Sequence, residues 1–124
     1  MFAAFAALPL VVLAGNVTGR VRLPAGETIP PVATVQVELR DVSKADAGSM
    51  LVGKVELHNG GGKNDAPFEI GYDDKRISSN SAYAVSSRII AKGRLLYINN
   101  VQVPVITRGA PVKDVELPVS KVKR

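Results

Sequence analysis

Few residues of this sequence are of types that perform catalysis or hold a metal ion. His58 is the only histidine and there is no cysteine. The sequence therefore supports no serine, histidine and aspartate constellation, no multi-histidine metal site and no thiol nucleophile. We interpret His58 as a surface residue of a strand rather than a pH-sensing group. These observations predict a protein that is not an enzyme.

Two further groups of residues resemble ligand sites only superficially. Asp65, Asp73 and Asp74 lie near Asn64, but their spacing fits no standard calcium loop. Asp73 and Asp74 precede a short turn, and we expect them to cap it. Residues 60–63, Gly-Gly-Gly-Lys, lack the full phosphate-loop motif and a following helix, so we expect a flexible hairpin loop. No catalytic, cofactor-binding or metal-binding residue is predicted, and no cofactor is expected.

The segments that carry these residues have the alternating apolar pattern of β-strands. Gly93 predicts a tight hairpin, Pro67 predicts a strand start or an edge strand, and Pro104 predicts an edge strand. The sequence contains no long amphipathic helix, and we predict one short helical or turn segment at residues 73–77. We predict an all-β fold, a small antiparallel β-sandwich of about seven to eight strands, with a small barrel as the alternative. Alternating apolar positions place these strands at 17–23, 35–39, 50–58, 67–72, 83–91, 94–99, 101–105 and 115–119.

The amino-terminal segment has the character of a targeting signal. An apolar run over residues 2–13 ends in Ala14 and Gly15, and Asn16 follows where a lipoprotein signal carries cysteine. The run is shorter than the roughly 20 residues that span a bilayer. Three interpretations stay open: a lipoprotein signal whose cysteine is replaced, a secretory signal cut after Ala14 or Gly15, and an uncleaved interfacial anchor. We predict a signal over residues 1–15 and a single β-sandwich domain over residues 16–124.

The charge of the chain favours acidic partners. The formal net charge is +5, and residues 1–15 contain no charged side chain. Nucleic acid is not expected as a partner, because the basic residues are dispersed among acidic ones and the chain has no tryptophan. The one basic cluster is Lys121, Lys123 and Arg124 at the tail. It is either a solvated terminus or a contact with a membrane surface or an acidic partner.

The order and spacing of several segments resemble the YbaY/YscW family of bacterial envelope lipoproteins. The resemblance covers nearly the whole domain. The chain departs from the family pattern at Asn16 and at residues 99–102, Asn-Asn-Val-Gln. The segments that carry the resemblance are VTG (17–19), VQVELRDVSKADA (35–47), PFEIGYD (67–73), YAV (83–85), RI (88–89), GRLLYI (93–98) and PVITRG (104–109).

The resemblance implies a function as well as a fold. Members of this family are small β-sandwiches tethered by an acylated cysteine to the outer membrane and facing the periplasm, and some resemble pilotins that escort secretin subunits. It implies a non-enzymatic, periplasmic, outer-membrane-associated domain that binds an envelope protein and assists its assembly or localisation. Lipid attachment would fall at position 16, where this chain has Asn16. The alternative is a structural or lipid-contacting envelope protein without a client.

Overall fold

The alternating residues form two β-sheets that pack face to face. The structure, a computed structural model, describes residues 15–44, 48–58 and 61–123. Within these ranges, no helix has the length and apolar character needed to cross a membrane. A one-turn 3-10 helix spans Asp74–Arg76. The strands are β1 Gly15–Arg22, β2 Thr34–Asp41, β3 Met50–Leu57, β4 Asp65–Tyr72, β5 Tyr83–Ala91, β6 Arg94–Ile98, β7 Val103–Val105, β8 Val115–Pro118 and β9 Ser120–Lys121.

The two sheets differ in size. The small sheet has the order β4-β1-β8, and the large sheet has the order β3-β2-β5-β6-β9, with β7 paired to the first residues of β5. All pairs are antiparallel except β1 with β8, which is parallel. The predicted sandwich is confirmed, with nine strands in the described ranges rather than seven to eight. The additional strand is β9, which follows the last predicted strand, at 115–119, and belongs to the other sheet.

The core lies between the sheets and receives every second side chain of most strands. Burying one such Val, Leu or Ile side chain stabilises the fold by roughly 1.5–3 kcal/mol. These contacts replace the disulfides that a chain without cysteine cannot form. The largest fully buried side chains are Tyr83, Ile29, Leu39, Ile70, Ile89, Leu117, Val17, Val21, Val35, Val37, Val85 and Val105.

A bulge in β3 changes the predicted faces of this strand. Strict alternation places Leu51 on the same side as Val55 and Leu57, but the register against β2 shifts after Leu39. Val52 is the extra residue and packs against the core, whereas Leu51 is 37% exposed. Such a bulge places two residues opposite one and interrupts the period of two. Leu51 therefore belongs to the surface.

One end of the sandwich, which we call the amino-terminal pole, collects the start of β1 and its neighbours. Gly15 lies opposite Tyr72, the last residue of β4. In the large sheet, Asp41 ends β2 and lies opposite Met50 and Tyr83, the first residues of β3 and β5. The connection from β4 to β5 stays at this end and joins the two sheets.

The opposite end holds the last described residues of the chain. The backbone N–H of Val119 donates to the carbonyl of Arg22, the last residue of β1, over 3.0 Å. From there β9 runs antiparallel to β6, with Lys121 opposite Tyr97, so Lys123 lies farther still from the amino-terminal pole. Because eight strand residues span about 26 Å, the two poles are separated by about 25 Å.

Candidate binding surfaces

His58 lies on the surface at the end of β3. Its Nδ1 is 3.3 Å from the hydroxyl oxygen of Thr34, and its Nε2 is 3.9 Å from a carboxylate oxygen of Glu56. This row has a hydroxyl, an imidazole and a carboxylate, but the imidazole is 66% exposed and the carboxylate is too far away to orient it by a hydrogen bond. The arrangement therefore lacks the buried, oriented base of a hydrolase.

The acidic residues considered as helix caps or calcium ligands lie apart from one another, and each makes a local structural contact. Oδ1 of Asp73 accepts the backbone N–H of Lys75 over 2.9 Å, so Asp73 caps the 3-10 helix, as predicted. Asp65 instead pairs with Arg20 over 2.8 Å. Across the described ranges, no three His, Asp or Glu side chains are grouped so that they could hold a metal ion.

The glycine-rich loop is bonded to its neighbour rather than free. Gly60 lies outside the described residues, but the N–H of Gly62 donates to the carbonyl of Ile29, and the N–H of Ile29 donates to the carbonyl of Lys63, both over 2.8 Å. Ile29 lies in the connection between β1 and β2. The side-chain amide of Asn64 donates further hydrogen bonds to the carbonyls of Pro24 and Glu27 in the same connection. The loop that the composition predicts as flexible is thus held by the segment it faces.

Asn16 occupies the second position of β1, with an exposed side chain, opposite Gly71. Residues 1–14 of the predicted signal lie outside the described residues. Gly15 is packed so closely that a Cβ atom there would overlap the ring of Tyr72. The sheet of the domain therefore already includes position 16, at the amino-terminal pole.

The free edges of the sheets are protected, which limits the addition of a partner strand. Pro67 lies in β4, an edge of the small sheet, and Pro104 lies in β7, which pairs only with β5. At the edge of β3, the guanidinium of Arg76 donates to the carbonyl of Leu51 over 3.0 Å. Proline and charged groups at such edges discourage pairing with another chain. The predicted edge positions of both prolines are confirmed.

A groove crosses the outer face of the large sheet where β6 ends and β7 has not yet begun. It has a volume of about 250 Å³, and Ala84, Ser86 and Arg40 line it beside residues 99–102. Oδ1 of Asn99 accepts the backbone N–H of Ser87 over 2.9 Å. This bond continues the hydrogen bonding along β5 between the end of β6 and the start of β7. The segment that departs from the family pattern thus keeps a structural role and presents Val101, 69% exposed, to solvent.

The loop after β7 is strained. Ile106 has φ of +71°, a conformation that a β-branched residue rarely adopts. The side chain of Thr107 donates to the carbonyl of Ser81 over 2.6 Å, and Arg108 donates to the carbonyl of Asn80 over 3.0 Å. These bonds hold the loop at the amino-terminal pole. The alternating pattern of Val101, Val103 and Val105 ends at Ile106 and gives no sign of this strain.

Four exposed cationic side chains gather at the other end, which we call the basic pole: Lys92, Arg94, Lys121 and Lys123. The turn at Lys92 and Gly93, with φ of 54° and 75°, is a two-residue hairpin turn and confirms the tight hairpin predicted at Gly93. Sequence reasoning found only Lys121, Lys123 and Arg124, the last of which lies outside the described residues. The pairing of β9 with β6 brings Lys92 and Arg94 to the same end.

A buried phenol ties the connection between β1 and β2 to β6. Tyr97 donates to a carboxylate oxygen of Glu27 over 2.5 Å. Burial, and then this hydrogen bond and the negative charge of Glu27, raise the pKa of Tyr97 to about 12. The folded state therefore favours the neutral phenol.

This raised pKa predicts alkaline destabilisation. The contribution of Tyr97 to the free energy of unfolding is fully present below the ordinary tyrosine pKa of about 10 and is lost as the pH rises toward about 12. We expect Tyr97→Phe to lower the free energy of unfolding by about 1 kcal/mol at pH 7 and to flatten its decline above pH 10. Urea denaturation across this pH range measures both effects. Glu27→Gln, which keeps an acceptor, is the milder control, and an unchanged alkaline decline in Tyr97→Phe contradicts the assignment.

Comparisons with known proteins agree with the fold and with the resemblance stated from the sequence. The uncharacterized lipoprotein YbaY of Escherichia coli (strain K12) is 28% identical over 102 residues, which cover 82% of this chain and 54% of YbaY. The chain therefore spans about half the length of this curated relative. The structure of an alternative pilotin from the type II secretion system of Vibrio cholerae matches with a TM-score of 0.83 at 31% identity, and the match covers 89% of this chain and 98% of that chain.

The family itself follows from a match that covers most of the chain. The profile described as type III secretion system lipoprotein chaperone (YscW) matches residues 13–117. This range contains all of the segments on which the resemblance was based, and it includes strands of both sheets. The chain belongs to the YscW family of secretion-system lipoprotein chaperones.

Proposed function

We propose that this protein is a pilotin-like chaperone of the cell envelope. It binds a subunit of an outer-membrane secretion protein and assists the assembly or localisation of that subunit, without catalysing a reaction. The observation that carries this proposal is the likeness to the Vibrio cholerae pilotin, which extends over 89% of this chain and 98% of that one. The surfaces of the described residues suit binding, because they offer shallow grooves rather than a buried catalytic constellation.

The proposal includes a place in the cell. Relatives described as lipoproteins support association with the outer membrane, and we place the domain, residues 16–124, on the periplasmic face. Position 16 corresponds to the acylated residue of a lipoprotein signal over residues 1–15. Because Asn16 has no thiol, this chain is not acylated there, and a tether would come from the apolar segment itself.

A structural envelope protein without a client is the second candidate. The exposed lysines of the basic pole favour it, since anionic lipid headgroups attract such residues at about 1 kcal/mol each near the surface. An experiment that captures bound client proteins by cross-linking distinguishes the chaperone from the structural protein.

The test is cross-linking in living cells, followed by mass spectrometry of the captured envelope proteins. Wild type, Asn16→Cys and the matched control Asn16→Ser are compared as full-length chains. We expect one secretion subunit of the outer membrane to be enriched, and more strongly with Asn16→Cys, because acylation concentrates the domain at that membrane. Asn16→Ser lacks a thiol and should behave as wild type. If no variant enriches an envelope protein above background, the client proposal is wrong and the structural role replaces it.

A further inference from the structure

The basic pole combines cationic and apolar side chains on adjacent strands. Thr34 of β2 pairs with Ile90 of β5, which pairs with Leu95 of β6. Ile90 and Leu95 are half-buried on the outer face of the large sheet. Val32, two residues before Thr34, is 63% exposed. The pole therefore offers an apolar row at the same end as its lysines.

The last described residues complete this surface. The N–H of Val122 donates to the carbonyl of Leu96 over 2.9 Å. Continuing the register of Lys121 opposite Tyr97 places Lys123 opposite Leu95. Arg94 precedes Leu95 in β6 and pairs with Ala91, which packs against the core, so the side chain of Arg94 lies at the rim of the sheet beside the apolar row rather than on the same face. Cations from two distant parts of the sequence thus meet at this rim.

The cations of the basic pole are not neutralised by carboxylates of the described chain. None of Lys92, Arg94, Lys121 and Lys123 takes part in the ion pairs found among described residues. The acidic groups toward this end are engaged elsewhere. Glu27 accepts from Tyr97, Glu116 pairs with Arg22 over 2.8 Å, and Asp65 pairs with Arg20. Glu56 accepts from the side-chain amide of Gln36 over 3.3 Å and faces the imidazole of His58. A positive potential is left facing solvent.

The position of this surface argues against a lipid partner. This step rests on the proposed function, in which the apolar segment within residues 1–15 holds the domain at the membrane. Gly15 lies at the amino-terminal pole, about 25 Å from the basic pole by the length of the strands. Electrostatic attraction is screened over about 8 Å at physiological ionic strength. A domain held at Gly15 therefore keeps its basic pole beyond the reach of the headgroups.

We propose that the basic pole binds an acidic, partly apolar segment of the client secretion protein. Carboxylates of the segment would face Lys92, Arg94, Lys121 and Lys123, and its apolar side chains would cover Val32, Ile90 and Leu95. Such a surface recognises an amphipathic segment with acidic and apolar faces and discriminates against a basic one. It also orients the client on the side of the domain away from the membrane.

The first test measures binding in solution. The probes are a synthetic peptide of about 18 residues, or five helical turns, with glutamate on one helical face and leucine on the other, its lysine counterpart, and vesicles that contain phosphatidylglycerol. The pole variant is Lys92→Glu with Arg94→Glu. The control, Lys44→Glu with Lys75→Glu, makes the same change of charge in exposed residues of the amino-terminal pole.

We expect the glutamate peptide to bind wild type and the control alike, and the pole variant about tenfold more weakly. The lysine peptide should not bind, and added salt should weaken binding of the glutamate peptide. Equal binding of the glutamate peptide to both variants overturns the proposal. Vesicle binding that the pole variant alone loses, without peptide binding, also overturns it and assigns the pole to lipid.

The second test repeats the cellular cross-linking with both charge variants. Loss of the captured subunit in the pole variant, with capture retained in the control, supports the proposal. Equal capture by both variants shows that the client binds elsewhere, which refutes this inference and leaves the proposed function standing. Absence of capture by wild type refutes the proposed function, and the peptide measurement then decides the chemistry of the pole on its own.

Discussion

Replacing Gly19 by alanine should strongly destabilise the domain. A Cβ atom at Gly19 would overlap the carbonyl oxygen of Val115 and lie 2.9 Å from its carbonyl carbon. Both are backbone atoms of β8, which cannot rotate away as a side chain can. We expect Gly19→Ala to separate β1 from β8 and to lower the free energy of unfolding by about 3 kcal/mol or more.

The matched control for this change is Gly26→Ala. Gly26 has φ of +83°, but no atom lies within 4 Å of the position that a Cβ would take there. Only backbone strain therefore opposes the alanine, at about 1 kcal/mol. Urea denaturation of both variants, monitored by circular dichroism, separates steric displacement of a strand from local strain. Equal losses in the two variants would contradict the close packing of β8 on β1.

The second large effect is expected at Asn64. Its side-chain amide donates to three backbone carbonyls in the connection between β1 and β2: Leu23 over 3.3 Å, Pro24 over 2.9 Å and Glu27 over 2.7 Å. Asn64→Asp keeps the shape but replaces the donor by a carboxylate oxygen that faces the three carbonyl oxygens. We expect a loss of about 2–3 kcal/mol in the free energy of unfolding near pH 7.

The sign of the pH dependence tests the cause of this loss. Protonation of the introduced carboxyl restores one O–H donor, so the stability difference from wild type should narrow as the pH falls toward about 4, the ordinary aspartate pKa. Asn80→Asp, in an exposed turn, makes the same chemical change and should cost little. Denaturation midpoints at several pH values measure both. A difference that widens on acidification would contradict the proposed contacts of Asn64.

Local patterns in the sequence were sufficient to predict the strands. Val35, Val37 and Leu39 alternate with polar residues, and each of the three is fully buried in β2. Gly93 predicts its hairpin because only a short turn with positive φ joins two adjacent strands so closely. Asp73 likewise reveals its capping role through its position before a turn.

Features that depend on distant pairing could not be predicted in this way. The bulge that exposes Leu51 is set by the register against β2, and β9, which follows the last predicted strand, is set by its pairing with β6. The basic pole, the candidate binding site, could not be predicted from the sequence for the same reason. Lys92 and Arg94 lie far from Lys123 in the sequence, so only the pairing of β6 with β9 reveals that they share a surface.

The parallel pairing of β1 with β8 has a consequence for how the chain reaches its fold. Gly19 pairs with Val115, so the central strand of the small sheet obtains its second neighbour only when nearly the whole chain is available. Contacts between such distant residues form slowly, because a long loop must close first. Folding of the small sheet is therefore delayed until β8 has emerged. For a protein proposed to act in the periplasm, we expect this delay to leave the small sheet unformed until most of the chain has crossed the inner membrane.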